Sequence, residues 1–119
     1  MKQEYLEAWV NALRSGEYKQ GCDQLKSSCN EFCCLGVLAD LAIKNNWFPE
    51  LELRWDGTRL YSEDAEQSYS GTTFLLNSYM LNTLNLDIDI EIILSNMNDY
   101  GSSFSAIADY IEANLQETQ

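Results

Sequence analysis

The chain has 119 residues, seven Lys and Arg against nineteen Asp and Glu, and no histidine, for a formal charge of −12. This size suits a single globular domain over residues 1–119, and 45% hydrophobic with 22% charged residues excludes a disordered chain. No apolar run is long enough to span a bilayer and residues 1–4 lack the apolar core of a signal peptide, so a soluble protein of the cytoplasm is expected.

Taken in chain order, residues 4–15 read as a helix. Tyr5, Leu6, Trp9, Val10 and Leu13 recur at helical spacing and Gly16 is a natural stop. Residues 18–32 are irregular, with Lys26-Ser27-Ser28 as a turn inside a short hairpin. Phe32 to Ile43 is almost wholly apolar, long and rich in Leu and Ala, which predicts a buried helix. Gly36 inside it implies the close crossing of another element, since glycine costs about 1 kcal/mol in a helix interior. Asn45-Asn46 and Pro49 end it. Leu51, Leu53 and Trp55 alternate with Glu52 and Arg54 ahead of Asp56-Gly57, the pattern of a half-buried strand entering a hairpin.

Residues 62–71 are polar and read as an exposed loop. Thr72 or Thr73 then caps a helix to about Leu84, with Leu76, Tyr79, Met80 and Leu84 inward. Leu86, Ile88, Ile90 and Ile92 alternate with Asp87, Asp89 and Glu91, as in a strand. A helix fits better, because Asp89 as N-cap sets Ile88 and Ile93 at the spacing of a hydrophobic staple. Its stripe is Ile90, Ile93, Leu94 and Met97, and Gly101 closes it. Ser102 or Ser103 starts a last helix with Phe104, Ile107, Ala108, Ile111 and Leu115 on one face. The expected fold is α+β: about five helices, one or two small β-hairpins, and a C-terminal αα-hairpin packed on the buried central helix.

Charge is segregated along the chain. Residues 1–59 hold all seven bases and nine acids, a net 7 − 9 = −2, whereas residues 60–119 hold ten acids and no base. Nucleic-acid binding depends on Lys and Arg displacing counterions from phosphates, so no direct nucleic-acid partner is expected. Anionic membranes are opposed for the same reason, and basic proteins are favoured. Acidity of this order also serves solubility alone. Without histidine, Ser-His-Asp and Cys-His nucleophile systems and His-containing zinc sites are excluded.

Four cysteines, Cys22, Cys29, Cys33 and Cys34, miss the paired spacing of a zinc site, and adjacent thiols on a helix point about 100° apart. The expectation is four free thiols, with Cys33 and Cys34 as small core residues and Cys22 and Cys29 on facing strands. Asp87, Asp89 and Glu91 imitate the start of a calcium loop, but Ile92 and Asn98 stand where Gly and Glu are required. Those acids suit a helix N-terminus instead. Residues 101–108 look like the first helix of a helix-turn-helix, yet no reading helix follows and no base lies nearby. Trp9 belongs to a core stripe, which leaves Trp47 and Trp55 as the freer aromatic contacts.

Two segments carry a resemblance. Residues 9–21 (Trp9-Val10-Asn11-Ala12-Leu13-Arg14-Ser15-Gly16-Glu17-Tyr18-Lys19-Gln20-Gly21) with Phe32-Cys33-Cys34-Leu35-Gly36-Val37-Leu38 form one, and residues 97–112 form the other. Together they resemble small uncharacterised proteins of tailed phages and prophages. Where that family usually has a basic residue or glycine, this chain has Cys22, which argues further against a four-cysteine metal site. The resemblance transfers no catalytic residue, cofactor or metal ligand. It implies an accessory protein of the host cytoplasm that binds a host protein, such as a defence or nucleic-acid-binding factor. The residues expected at such an interface are Trp47, Trp55, Glu63, Asp64, Glu66, Asp87, Asp109 and Glu112. The competing expectation is a small ligand-binding protein or enzyme with a pocket at Tyr18, Lys19, Gln20, Asn98 and Asp99. A concave site gathering Lys19, Asn98 and Asp99 is what would favour it.

Overall fold

The molecule is described by a computed structural model covering residues 1–62, 70–72, 74–76 and 78–115. Helix α1 (Gln3–Ser15) buries Leu6, Trp9, Val10 and Leu13 on one stripe and ends at Gly16, whose φ of +80° suits glycine. Short strands β1 (Lys19–Gln20) and β2 (Glu31–Phe32) lead to the central helix α2 (Cys34–Lys44), buried on nearly every side. A 3-10 turn (Pro49–Leu51) precedes β3 (Arg54–Asp56), β4 (Arg59–Ser62) and β5 (Ser70–Thr72). Three further helices follow: α3 (Ser78–Leu84), α4 (Ile88–Asp99) and α5 (Phe104–Asn114). The fold is α+β.

Helix ends follow local chemistry. Cys33 caps α2, its Sγ accepting the Gly36 N–H at 3.4 Å, and Ser103 caps α5, its Oγ accepting the Ala106 N–H at 3.1 Å. Gly101, with φ +103°, terminates α4 while the Ser102 N–H returns to the Met97 carbonyl, the Schellman arrangement. Gly57-Thr58 joins β3 to β4 in the register Asp56↔Arg59, and the positive φ of Gly57 matches a tight hairpin turn. Strand β5 adds antiparallel to β4.

Trp9 has no exposed surface, and its indole N–H donates to the Cys34 carbonyl at 2.9 Å, fixing α1 against α2. Helix α4 packs on α2, where the Cys34 thiol donates to the Leu94 carbonyl at 3.5 Å. The C-terminal hairpin thus docks on the central helix through α4, while α5 lies chiefly along α1 with Ile107, Ala108 and Ile111 buried. Leu35, Leu38, Leu60, Met80, Leu84 and Leu94 complete a continuous core.

Several local expectations are corrected. Residues 18–32 do not form one hairpin: β1 and β2 pair in parallel, Lys19 opposite Glu31, and antiparallel pairing is confined to the bridge of Lys26 with Phe32 across the turn at residues 27–30. Burial of Leu25 draws the intervening loop inward, with Asp23 and Asn30 at positive φ making its turns, so the chain circles from β1 before it doubles back between Lys26 and Phe32. Cys22 and Cys29 lie exposed in that loop, not on facing strands. The neighbour that Gly36 admits is this loop's backbone and not the C-terminal hairpin.

The strand expected from Leu51 begins only at Arg54, because Pro49 sets a 3-10 turn and Glu52 adopts φ +48°. Ser62, Ser70 and Gly71, expected in a loop, are strand residues. Thr72 belongs to β5 and does not cap α3, and Thr73 lies outside the described residues. Helix α4 starts two residues early, with Asp87 as N-cap: its Oδ1 accepts the Asp89 N–H at 2.7 Å. Of its expected stripe only Leu94 is buried; Ile90 and Met97 are half-buried and Ile93 faces out. Leu115, at the end of the α5 stripe, is half-buried.

Candidate functional site

The five residues of the expected pocket go to three places. Lys19 is exposed and pairs with Glu31 at 3.2 Å. Tyr18 turns to Asp40, its hydroxyl donating to Oδ2 at 2.6 Å. Gln20, Asn98 and Asp99 do meet, as a latch between the 20–23 segment and the end of α4. The Gln20 amide donates to Asn98 Oδ1 (3.0 Å) and to the Ser102 carbonyl (2.8 Å). Asn98 Nδ2 donates to the Gly21 carbonyl (2.7 Å), and its Oδ1 also accepts the Cys34 N–H (3.2 Å). Asp99 Oδ1 accepts the Asp23 N–H (2.9 Å). Asn98 is buried, and both ends of its amide are consumed in holding the fold. These groups do not converge on a ligand.

A second cluster surrounds Asp40, a single acid inside the apolar run of α2. Oδ2 accepts from Tyr18 and pairs with Lys44 at 3.0 Å, while the Trp55 indole donates to Oδ1 at 3.0 Å. Burial pushes this carboxyl upward, but the bonds from Tyr18, Lys44 and Trp55 outweigh it and hold it below the usual value of 3.8. The Tyr18 hydroxyl is pushed up to about 12, first by burial and then by its bond to Asp40. Phe32 packs edge-on against Tyr18 and Trp55 with centroids at 5.2 and 6.2 Å, and Lys26 lies over Trp55 at 5.3 Å. A tyrosine this hard to ionise is no base at neutral pH, and the carboxylate is fully engaged. The cluster ties α2 to the residues flanking β1 and to β3. The only sequence signal for it is the position of Asp40 among apolar neighbours.

The expected interface residues are likewise dispersed. Glu63, Asp64 and Glu66 lie outside the described residues. Trp47 stacks on Tyr5 with centroids at 4.4 Å, and Trp55 is held by Asp40. Asp87 caps α4. Asp109 and Glu112 are exposed on α5 and pair with Arg14 of α1, Asp109 at 2.6 Å. Two clefts lie elsewhere. One, about 170 Å³, runs between α1 and α5 over Leu6, Val10 and Ile111. The other is open and bordered by Arg54, Trp55, Asp56 and Tyr61. The Cys33 thiol is pushed to about 11 by burial and Cys34 is raised well above its usual value for the same reason, so neither is a ready nucleophile.

Helix α4 has its polarity reversed. Its buried side carries Glu91, Leu94 and Asn98, whereas Ile88, Ile92 and Ile93 are 59%, 44% and 40% exposed and Tyr100 at its end is 88% exposed. Glu91 has no exposed surface. Its Oε2 accepts the Leu76 N–H at 2.8 Å, and Oε1 has no hydrogen-bond partner among the described residues. Burial raises its carboxyl above the usual 4.5. The alternating Ile and acid positions of residues 86–92 read as a strand, and neither they nor the expected stripe of Ile90, Ile93, Leu94 and Met97 show that Glu91 turns inward.

Residues 1–115, spanning every element from α1 to α5, match the family described as Domain of unknown function (DUF8296). The chain belongs to this family. No curated protein and no solved structure matches it. Among the described residues no helix is long and apolar enough to cross a membrane, and no three His, Cys, Asp or Glu side chains group to hold a metal ion.

Every basic side chain of the chain is already engaged. Arg14, Lys19 and Lys44 are in ion pairs, Lys2 and Lys26 lie over the rings of Tyr5 and Trp55, and Arg54 and Arg59 flank Tyr61. Arg14 is also the cation that pairs with Asp109 and Glu112 of the other half.

Proposed function

We propose that this chain is a non-enzymatic accessory protein of a tailed phage that binds a basic host protein, a defence or nucleic-acid-binding factor, in the host cytoplasm. The observation that carries the binding reading is the segregation of charge: ten acids and no Lys or Arg over residues 60–119. Asp87 and Asp89 of that half are exposed, and Asp109 and Glu112, exposed on α5, share the one guanidinium of Arg14. A surface of one sign accelerates encounter with the opposite sign and rejects nucleic acid and anionic lipid. The phage attribution is supported by the resemblance at both ends of the chain. The dispersal of Lys19 from Asn98 and Asp99 argues against the small-ligand alternative.

The test is affinity capture from bacterial lysate with the intact chain and a variant neutralised at Glu63, Asp64, Glu66 and Asp89 by amide substitution. A basic protein retained at low salt, released by raised salt and lost with the variant is the expected result. Retention of nothing at low salt would remove the reading.

A further inference from the structure

We infer that the outward face of α4 is a docking surface for a protein segment that presents aliphatic side chains flanked by Lys or Arg. The inference rests on the reading of the chain as a binder of a basic protein, and it assigns the place and the chemistry of contact.

Ile88 and Ile92 are one helical turn apart on one flank of the outward face, and Ile93 and Tyr100, seven residues apart, line its other flank, with exposed Asp89 and Asn96 between them. At a rise of 1.5 Å per residue the face runs ~18 Å from Ile88 to Tyr100. Single exposed apolar residues are ordinary, but three isoleucines and a tyrosine exposed on the outward side of one helix form an apolar cluster of the kind that marks interaction sites, with Asp89 set among them. The same helix turns Glu91 and Asn98 inward. Asn98 is held by Gly21 and Cys34 and Glu91 by Leu76, so these bonds keep α4 in this orientation and leave the isoleucines facing solvent.

Charge selects the occupant. Asp87 and Asp89 stand exposed at one end of the face and Asp99 is half-exposed at the other. No Lys or Arg occurs after Arg59. A second copy meeting this face would oppose acid to acid within a dimer of 2 × −12 = −24, with no cation from this half to relieve it. A basic and aliphatic segment satisfies the face and its acidic ends together. An amphipathic helix laid along α4 is the simplest form of that chemistry.

The probe is a synthetic amphipathic helix of Leu and Lys, compared with a scrambled peptide of the same composition and with a Leu and Glu version. Binding is followed by methyl and amide NMR of the intact chain. The expected result is perturbation centred on Ile88, Ile92, Ile93 and Tyr100 by the Leu-Lys helix alone. Ile88→Ser/Ile92→Ser should weaken binding about tenfold or more while leaving the remaining spectrum and the melting temperature in place. Perturbation centred on α5 or elsewhere, unchanged by that double variant, would overturn the assignment of the site while leaving the basic-partner reading standing. Absence of binding by any peptide would count against both. Equal binding of the Leu-Glu version would overturn the charge argument. Concentration-dependent dimerisation abolished by Ile88→Ser/Ile92→Ser would replace the proposed occupant with a second copy.

Discussion

Gly36 is in direct contact with the backbone of Leu25: a β-carbon at position 36 would lie 1.8 Å from the Leu25 carbonyl oxygen. That same carbonyl accepts the Cys33 N–H at 3.2 Å, so the loop cannot retreat without losing a bond at the start of α2. Alanine favours a helix interior by about 1 kcal/mol over glycine, but overpacking costs ~1–3 kcal/mol and here the obstacle is backbone, which has no rotamer to change. Gly36→Ala should therefore destabilise the fold. A melting temperature equal to or above that of the parent in a thermal scan would show that the loop does not press on the helix.

Ile107 on α5 is fully buried. Truncation to alanine should cost ~2–5 kcal/mol, the range for emptying a packed core site. Since 1 kcal/mol moves the melting temperature of a domain this size by about 3–6 °C, urea and thermal unfolding should both report a large loss. A shift below about 2 °C would mean that α5 is not docked on the core.

Glu91 imposes a pH dependence whose sign is fixed by burial. Its carboxyl titrates higher in the folded chain than the usual 4.5 because burial disfavours the charged form. Its contribution is thus fully present below about 4.5, the unfolded value, and is lost as pH rises through the folded value. Glu91→Gln keeps an oxygen for the Leu76 N–H and carries no charge. Its stability relative to the parent should therefore climb as pH is raised from acid to neutral, whatever constant offset the amide adds. Chemical denaturation across that interval measures it, and a flat difference would exclude a buried, ionising Glu91.

Asp40 carries the opposite dependence. Burial opposes its ionisation, but the donors from Tyr18, Lys44 and Trp55 prevail and hold it below 3.8. Its stabilisation is present above the unfolded value and is lost as pH falls through the folded one. Tyr18→Phe removes the shortest of these bonds and should cost about 1.5–3 kcal/mol at neutral pH, the range for a hydrogen bond to a charged group. The cost should shrink in acid as the carboxylate is protonated. An equal penalty at both pH values would assign the effect to packing alone.

Direct nucleic-acid binding should be undetectable at micromolar protein, because counterion release needs several Lys or Arg contacts and each base here is engaged within the molecule. Fluorescence anisotropy with random-sequence duplex at low salt measures it. A salt-sensitive rise in anisotropy would show that Arg54 and Arg59 leave Tyr61 for phosphate.

Several local sequence signals carried through to the structure, though the caps expected at Asp89 and Thr72 did not. The stop at Gly16, the Gly57 hairpin, the Gly101 terminus and the Ser103 cap each depend on one residue's φ or one side-chain oxygen, and each stands where the pattern put it. The stripes of α1 and α5 were legible because strong apolar periodicity leaves one way to bury the helix. The charge segregation needed no fold at all. Other features were decided by contacts across long stretches of chain. The parallel pairing of β1 with β2 depends on Leu25 reaching the core, and the side of α4 that faces inward depends on Asn98 meeting Gly21 and Cys34. Residues 86–92 alternate as a strand would and residues 88–99 carry apolar and polar groups on both flanks, so neither the helix nor its rotation was fixed by periodicity, and the stripe expected inward has only Leu94 buried. The bonds of Asn98 and of Glu91 Oε2 to backbone of other segments, with Leu94 buried on the same side, turn the isoleucines outward.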